Sequence, residues 1–92
     1  MVPKYRPPTP PGEILLEEFL KPLGLTQVGA AEKMGISLNR LNEIVRGKRG
    51  ITADTALRLS RLFGTSPEFW MNLQVASDLF KAARDVEVAG SR

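Results

Sequence analysis

Apolar residues recur every three or four positions along most of the chain, and glycine or proline closes each run. Leu15, Leu16, Phe19, Leu20 and Leu23 form the first run. They predict a helix starting at Pro11, because Pro10 precedes a proline and is driven out of the helical region, while proline suits a first helical position. Pro22 and Gly24 should stop it. Thr26 is placed to cap a second, short helix over Gln27 to Met34, and Gly35 supplies the positive φ of a sharp turn. Ser37 then caps Leu38 to Arg46, which Gly47 ends. Thr52 opens a fourth helix reaching about Phe63, with Ala56, Leu59, Leu62 and Phe63 as its buried stripe and Gly64 as its stop. Ser66–Pro67–Glu68 combines a cap, a proline at the first helical position and an acid. The helix that follows carries Phe69, Leu73, Ala76, Phe80 and Ala83 at spacings of four and three, widened by Trp70 and Leu79. It should run to about Arg84. Nothing has sustained strand character, so the expected class is all-α with five helices.

The second and third helices are the informative pair. Met34, Ile36, Leu41 and Ile44 face one way, and Ala31 allows the two helices to approach closely. Leu38, Asn39, Asn42, Glu43 and Arg46 are left outward on the third. A glutamine opens this stretch, a small residue follows four places on, and the turn glycine comes eight places after the glutamine. That combination is a helix-turn-helix with its second helix in the recognition position, and it is too specific for an ordinary helical hairpin.

Composition narrows the reading. At 92 residues, with 42% hydrophobic and 25% charged residues, the chain suits one small domain around one core. No apolar run approaches the ~20 residues that span a bilayer, and no apolar signal segment opens the chain. A cytoplasmic protein is expected. With no histidine and no cysteine, the commonest bases, nucleophiles and transition-metal ligands are missing. Neither an enzyme, a metal nor a cofactor is expected. Net charge is +3 but unevenly placed. Arg40, Arg46, Lys48, Arg49, Arg58 and Arg61 face only Glu43 and Asp54 within their stretch, a basic surface that suits phosphates. Residues 1–10 form a proline-rich arm carrying Lys4, Tyr5 and Arg6, which cannot be helical. Residues 11–85 form the domain, and 86–92 a frayed tail.

PGEILLEEFLKPLGLTQ together with GISLNRLNEIVRGKRGITADTALRLSRLFGTSPEFWMNLQ resembles the HigA-type antitoxins, a branch of the Xre/phage-repressor helix-turn-helix family. The resemblance covers Pro11 to Gln74. It implies a five-helix lambda-repressor-like domain that dimerises and binds a palindrome in its own operon's promoter. It also implies neutralisation of a HigB-type ribonuclease toxin. One departure is Gly29–Ala30, where the family usually has leucine at the second position. Glycine inside a helix costs ~1 kcal/mol, and a neighbour such as Phe19 is needed to fill the lost volume. On the motif, Ser37, Leu38, Asn39, Asn42 and Arg46 take the base-facing positions. Each asparagine can pair with adenine, and Arg46 with guanine or a phosphate. Thr26, Gln27, Arg40, Lys48 and Arg49 suit phosphate contacts.

A single helix-turn-helix makes few base contacts, so a homodimer on two half-sites is expected. Phe69, Leu73, Ala76, Leu79, Phe80 and Ala83 are its interface candidates. A ribonuclease presents a basic surface to RNA, which Glu13, Glu17 and Glu18 are expected to meet. The alternatives are that they are ordinary dipole-favoured surface residues, or that Asp78, Asp85 and Glu87 of the last helix meet it instead. The competing readings are a phage-type or host repressor without a toxin partner, and a protein-binding module whose basic face is incidental.

Overall fold

The computed structural model describes residues 7–90. Five helices are present among these residues: α1 (residues 11–23), α2 (Gln27–Met34), α3 (Leu38–Val45), α4 (Ala53–Phe63) and α5 (Pro67–Gly90). No strand occurs among the described residues. The expectations for Lys4, Tyr5 and Arg6 of the arm lie outside them.

The caps fall where the sequence places them. Thr26 Oγ1 accepts from the Gly29 N–H at 3.0 Å, Ser37 Oγ from Arg40 at 3.1 Å, Thr52 Oγ1 from Thr55 at 3.3 Å and Ser66 Oγ from Phe69 at 3.1 Å. Each satisfies a backbone donor that the first helical turn leaves without a partner. Gly35, in the turn between α2 and α3, has φ +72°, a conformation that L side chains resist.

Two expectations are corrected. Pro22 does not stop α1. The helix opens into a π-helical stretch over Leu15–Leu20, in which the Lys21 N–H donates to the Leu16 carbonyl five residues back, and continues as Lys21–Leu23 to Gly24. The wider turn relieves the clash between a proline ring and the carbonyl one turn earlier, so the ring is accommodated. The second correction concerns α5, which reaches Gly90 rather than Arg84. Lys81 to Glu87 are mostly exposed and contain neither glycine nor proline, so the backbone has no reason to stop. The molecule measures 50 by 23 by 22 Å along its principal axes.

One core holds the bundle together. Leu15 and Leu20 of α1, Ala30, Ala31 and Met34 of α2, Leu41 and Ile44 of α3, Ala56 and Leu59 of α4 and Trp70 of α5 are all buried, along with Ile51. Trp70 is fully buried, and its Nε1–H donates to Thr65 Oγ1 at 2.7 Å. Phe19 packs against Phe63 and Trp70 with centroids 4.9 and 5.0 Å away, and Ala30 is itself fully buried.

The start of α1 seats against the end of α3. A Cβ on buried Gly12 would lie 2.7 Å from the Val45 carbonyl oxygen and closer still to that of Ile44. Only glycine permits this backbone approach.

Candidate nucleic-acid interface

α3 offers its outer face to solvent. Ser37, Leu38, Asn39 and Arg46 are exposed there, while Leu41 and Ile44 hold the opposite side in the core. Asn42 is different. It is half-buried, and its Nδ2 donates to Gln27 Oε1 at 3.2 Å. The side chain therefore bridges the opening residue of α2 to the middle of α3, which leaves the Gln27 amide nitrogen as a donor beside exposed Thr26.

The basic residues divide into two groups. Lys48 and Arg49 are exposed in the loop after Gly47. Their backbone N–H groups both donate to the Glu43 carbonyl, at 2.8 and 3.2 Å. The Arg49 side chain also donates through Nη2 and Nε to Glu43 Oε1, at 2.7 and 3.0 Å. Lys48 therefore projects from a tied-down loop, and the Arg49 guanidinium lies against Glu43 while staying about half exposed.

Arg40 has a different occupation from the expected phosphate contact. Its Nη2 donates to Asp54 Oδ2 at 2.7 Å and to Thr55 Oγ1 at 2.8 Å. Arg58 approaches the same Asp54 oxygen at 2.9 Å through Nε and donates through Nη1 to the Met34 carbonyl at 2.7 Å. Asp54 thus links α3 to α4, and Arg58 links α4 to the last carbonyl of α2 before the turn. The Arg40 guanidinium, and then that of Arg58, holds the Asp54 carboxyl below its ordinary value. Charge counting along the chain treats Arg40 and Arg58 as surface cations, whereas both are held in this network. Asp54 and Arg58 stand at i,i+4, which was the available signal.

The remaining candidates lie on α1 and α5. Glu13, Glu17 and Glu18 are all exposed on α1, with Glu17 paired to Lys21 at 2.8 Å. The interface candidates on α5 do not form one outward stripe. Leu73 is half-buried against the core, Phe69 packs edge-on to Trp70 at 5.1 Å, and Phe80 is half-buried beside a groove. Ala76 is exposed and Ala83 half-buried. Leu79 does point outward, 46% exposed, and is joined by Val75 at 48% and Val86 at 70%, two positions outside the apolar period of the helix. Among the described residues no acidic cluster is suited to a metal, and no helix is long and apolar enough to cross a membrane.

Comparisons with known proteins agree with this architecture. The helix-turn-helix family model HTH_3 matches residues 16–70. Virulence-associated protein I of Dichelobacter nodosus is 56% identical over 75 residues, which cover 82% of this chain and 69% of that protein. The solved structure of antitoxin GraA superposes with a TM-score of 0.86 at 44% identity, covering 95% of this chain and 96% of that one. Pseudomonas aeruginosa antitoxin HigA, solved with the higBA promoter, superposes with a TM-score of 0.83 at 42% identity and the same coverage. The chain belongs to the Xre-type helix-turn-helix family, in its HigA-type antitoxin branch.

Proposed function

We propose that this protein is an antitoxin that binds operator DNA as a homodimer, represses its own toxin–antitoxin operon and neutralises a HigB-type ribonuclease. The observation that carries the DNA-binding part is the outer face of α3. It presents Ser37, Leu38, Asn39 and Arg46 to solvent and is flanked by capped helix starts and the Lys48–Arg49 loop. Asn39 and Arg46 read base edges in a major groove, and Gln27, Thr26, Lys48 and Arg49 set the register through phosphates. Antitoxin HigA with its promoter, at 42% identity, supports the same use of the fold here.

Val75, Leu79 and Val86 recur at spacings of four and seven along α5, which suits a two-fold helix pairing. Two copies then address half-sites about one helical turn apart on a palindrome. The toxin meets the exposed acids of α1. The protein acts in the cytoplasm, at its operator on the nucleoid.

Co-expression with the neighbouring reading frame, scoring growth rescue and co-purification, tests the toxin half. A mobility shift on the upstream promoter, with random duplex as control, tests the DNA half. Operator binding without rescue would leave a repressor that has no toxin partner. A chain that shifts neither duplex would leave a protein-binding module.

A further inference from the structure

The loop from Gly47 to Ile51 carries Lys48 and Arg49, and α5 holds its far end. Ile51 is buried, and its backbone N–H lies in no helix. It donates to Gln74 Oε1 at 2.7 Å. On its other side the same amide donates from Nε2 to Asp78 Oδ1, one turn along α5, at 3.0 Å. An ionised carboxylate only accepts and a backbone N–H only donates, so the pair fixes which end of the amide faces the loop. Gly50 leaves room for it: a Cβ there would lie 3.1 Å from Gln74 Oε1. At the near end, the Glu43 carbonyl receives the Lys48 and Arg49 N–H groups. Both ends of the basic loop are therefore clamped, one by α3 and one by α5.

We propose that Gln74 is a positioning residue for DNA binding. Oriented by Asp78, it fixes the Lys48–Arg49 loop so that both cations meet phosphates, and it ties α5 to the DNA face. The inference rests on the DNA-binding reading above. A buried backbone donor left without an acceptor is costly. A loop that loses Gln74 swings to solvate the Ile51 N–H and carries its cations away from their register. Two charges on a wandering loop neutralise fewer phosphates, which the salt dependence of binding records directly.

The test uses the full chain. Gln74→Met keeps the length of the side chain and removes both hydrogen bonds. The double variant Gln74→Glu with Asp78→Asn keeps the net charge and both bonds, because the new carboxylate accepts from Ile51 and from the new amide. Without DNA, the Ile51 amide should exchange about tenfold faster in Gln74→Met, the scale of one lost hydrogen bond, and return to the wild-type rate in the double variant. With duplex DNA, the slope of log affinity against log salt should flatten in Gln74→Met by about one to two units, the most that two phosphate contacts supply. The double variant should restore it. In a Lys48→Ala plus Arg49→Ala background, Gln74→Met should change the slope no further.

An unchanged slope despite faster Ile51 exchange would overturn the proposal, and so would a full additional loss in the double-alanine background. If Gln74→Met does not fold, Asp78→Ala replaces it, leaving the Ile51 bond but freeing the amide to turn. A partial flattening then supports the role, and none refutes it. Failure of the wild-type chain to bind duplex DNA would remove the DNA-binding reading instead, while Ile51 exchange would still report the clamp.

Discussion

Asn42 and Gln27 act as one unit, and that changes what a substitution at either should do. With one Nδ2 hydrogen engaged by Gln27, Asn42 keeps its oxygen and its other hydrogen for a base edge, while Gln27 keeps its amide nitrogen for a phosphate. Asn39→Ala should cost ~1–3 kcal/mol on the operator and much less on random duplex. Asn42→Ala should lose base contact and also loosen Gln27, so a double-mutant cycle with Gln27→Ala should show coupling of about 0.5 kcal/mol or more. Strict additivity would make the two independent contacts. Gly12 is a residue-scale constraint of another kind. Gly12→Ala drives a methyl into the Ile44 and Val45 carbonyls, and overpacking of this sort costs ~1–3 kcal/mol. Thermal melts should fall by about 4–8 °C for each kcal/mol in a chain of this size. Glu13→Ala, one residue on and exposed, should leave the melting temperature almost unchanged. These two cases show what the sequence held and what it withheld. The outward placement of Asn39 followed from helical period alone. The Asn42–Gln27 bond joins residues fifteen apart, and the contact at Gly12 joins α1 to α3, so neither is visible to a periodicity.

At the scale of elements, charge links α3 to α4, while Leu41 and Leu59 belong to the common core. Asp54 receives both Arg40 and Arg58 on one oxygen, and its carboxyl is held below the ordinary value. A depressed native value means stability that is present above the unfolded value, about pH 4, and is lost as pH falls through the native one. Asp54→Asn should therefore be less stable than wild type at pH 7, with the gap closing in acid as the Asp54 carboxylate is protonated. Urea midpoints at pH 7 and in acid measure it. An equal gap at both would assign the effect to hydrogen-bond geometry rather than charge. Arg40→Ala should lower the urea midpoint and leave the salt slope of DNA binding close to wild type, since its guanidinium already lies on Asp54 and Thr55. The element boundaries were legible wherever a side chain caps or a glycine turns, as at Thr26, Gly35, Ser37, Thr52 and Gly64. They failed at Pro22 and beyond Arg84. In the first case a π-turn accommodates the ring, a change of backbone register that no residue type announces. In the second, an exposed helix continues because nothing in Lys81 to Glu87 breaks it, and an exposed continuation leaves no apolar period to read.

The whole molecule is a compact helical body with α5 extending to Gly90, and its proposed dimer is tested along that helix. Phe80 is half-buried in the groove of about 600 Å³ formed with Pro7, Pro8 and the Lys48–Arg49 loop, so a charge there would damage the monomer as well as any interface. Val75 and Leu79 are close to half exposed and stand one turn apart on one side of the helix. Val75→Glu with Leu79→Glu should therefore leave helix content and melting temperature near those of the wild-type monomer while abolishing self-association, because like charges would meet across a two-fold interface. Sedimentation equilibrium should give a monomer. On random duplex each chain should retain its own phosphate contacts, with a salt slope about half that of the dimer. On the operator the loss should be far larger, because each half-site alone supplies only part of the specific contacts. A double variant that still sediments as a dimer would move the interface off this stripe. A monomer with undiminished operator affinity would remove the need for a dimer, leaving one recognition helix to select the site.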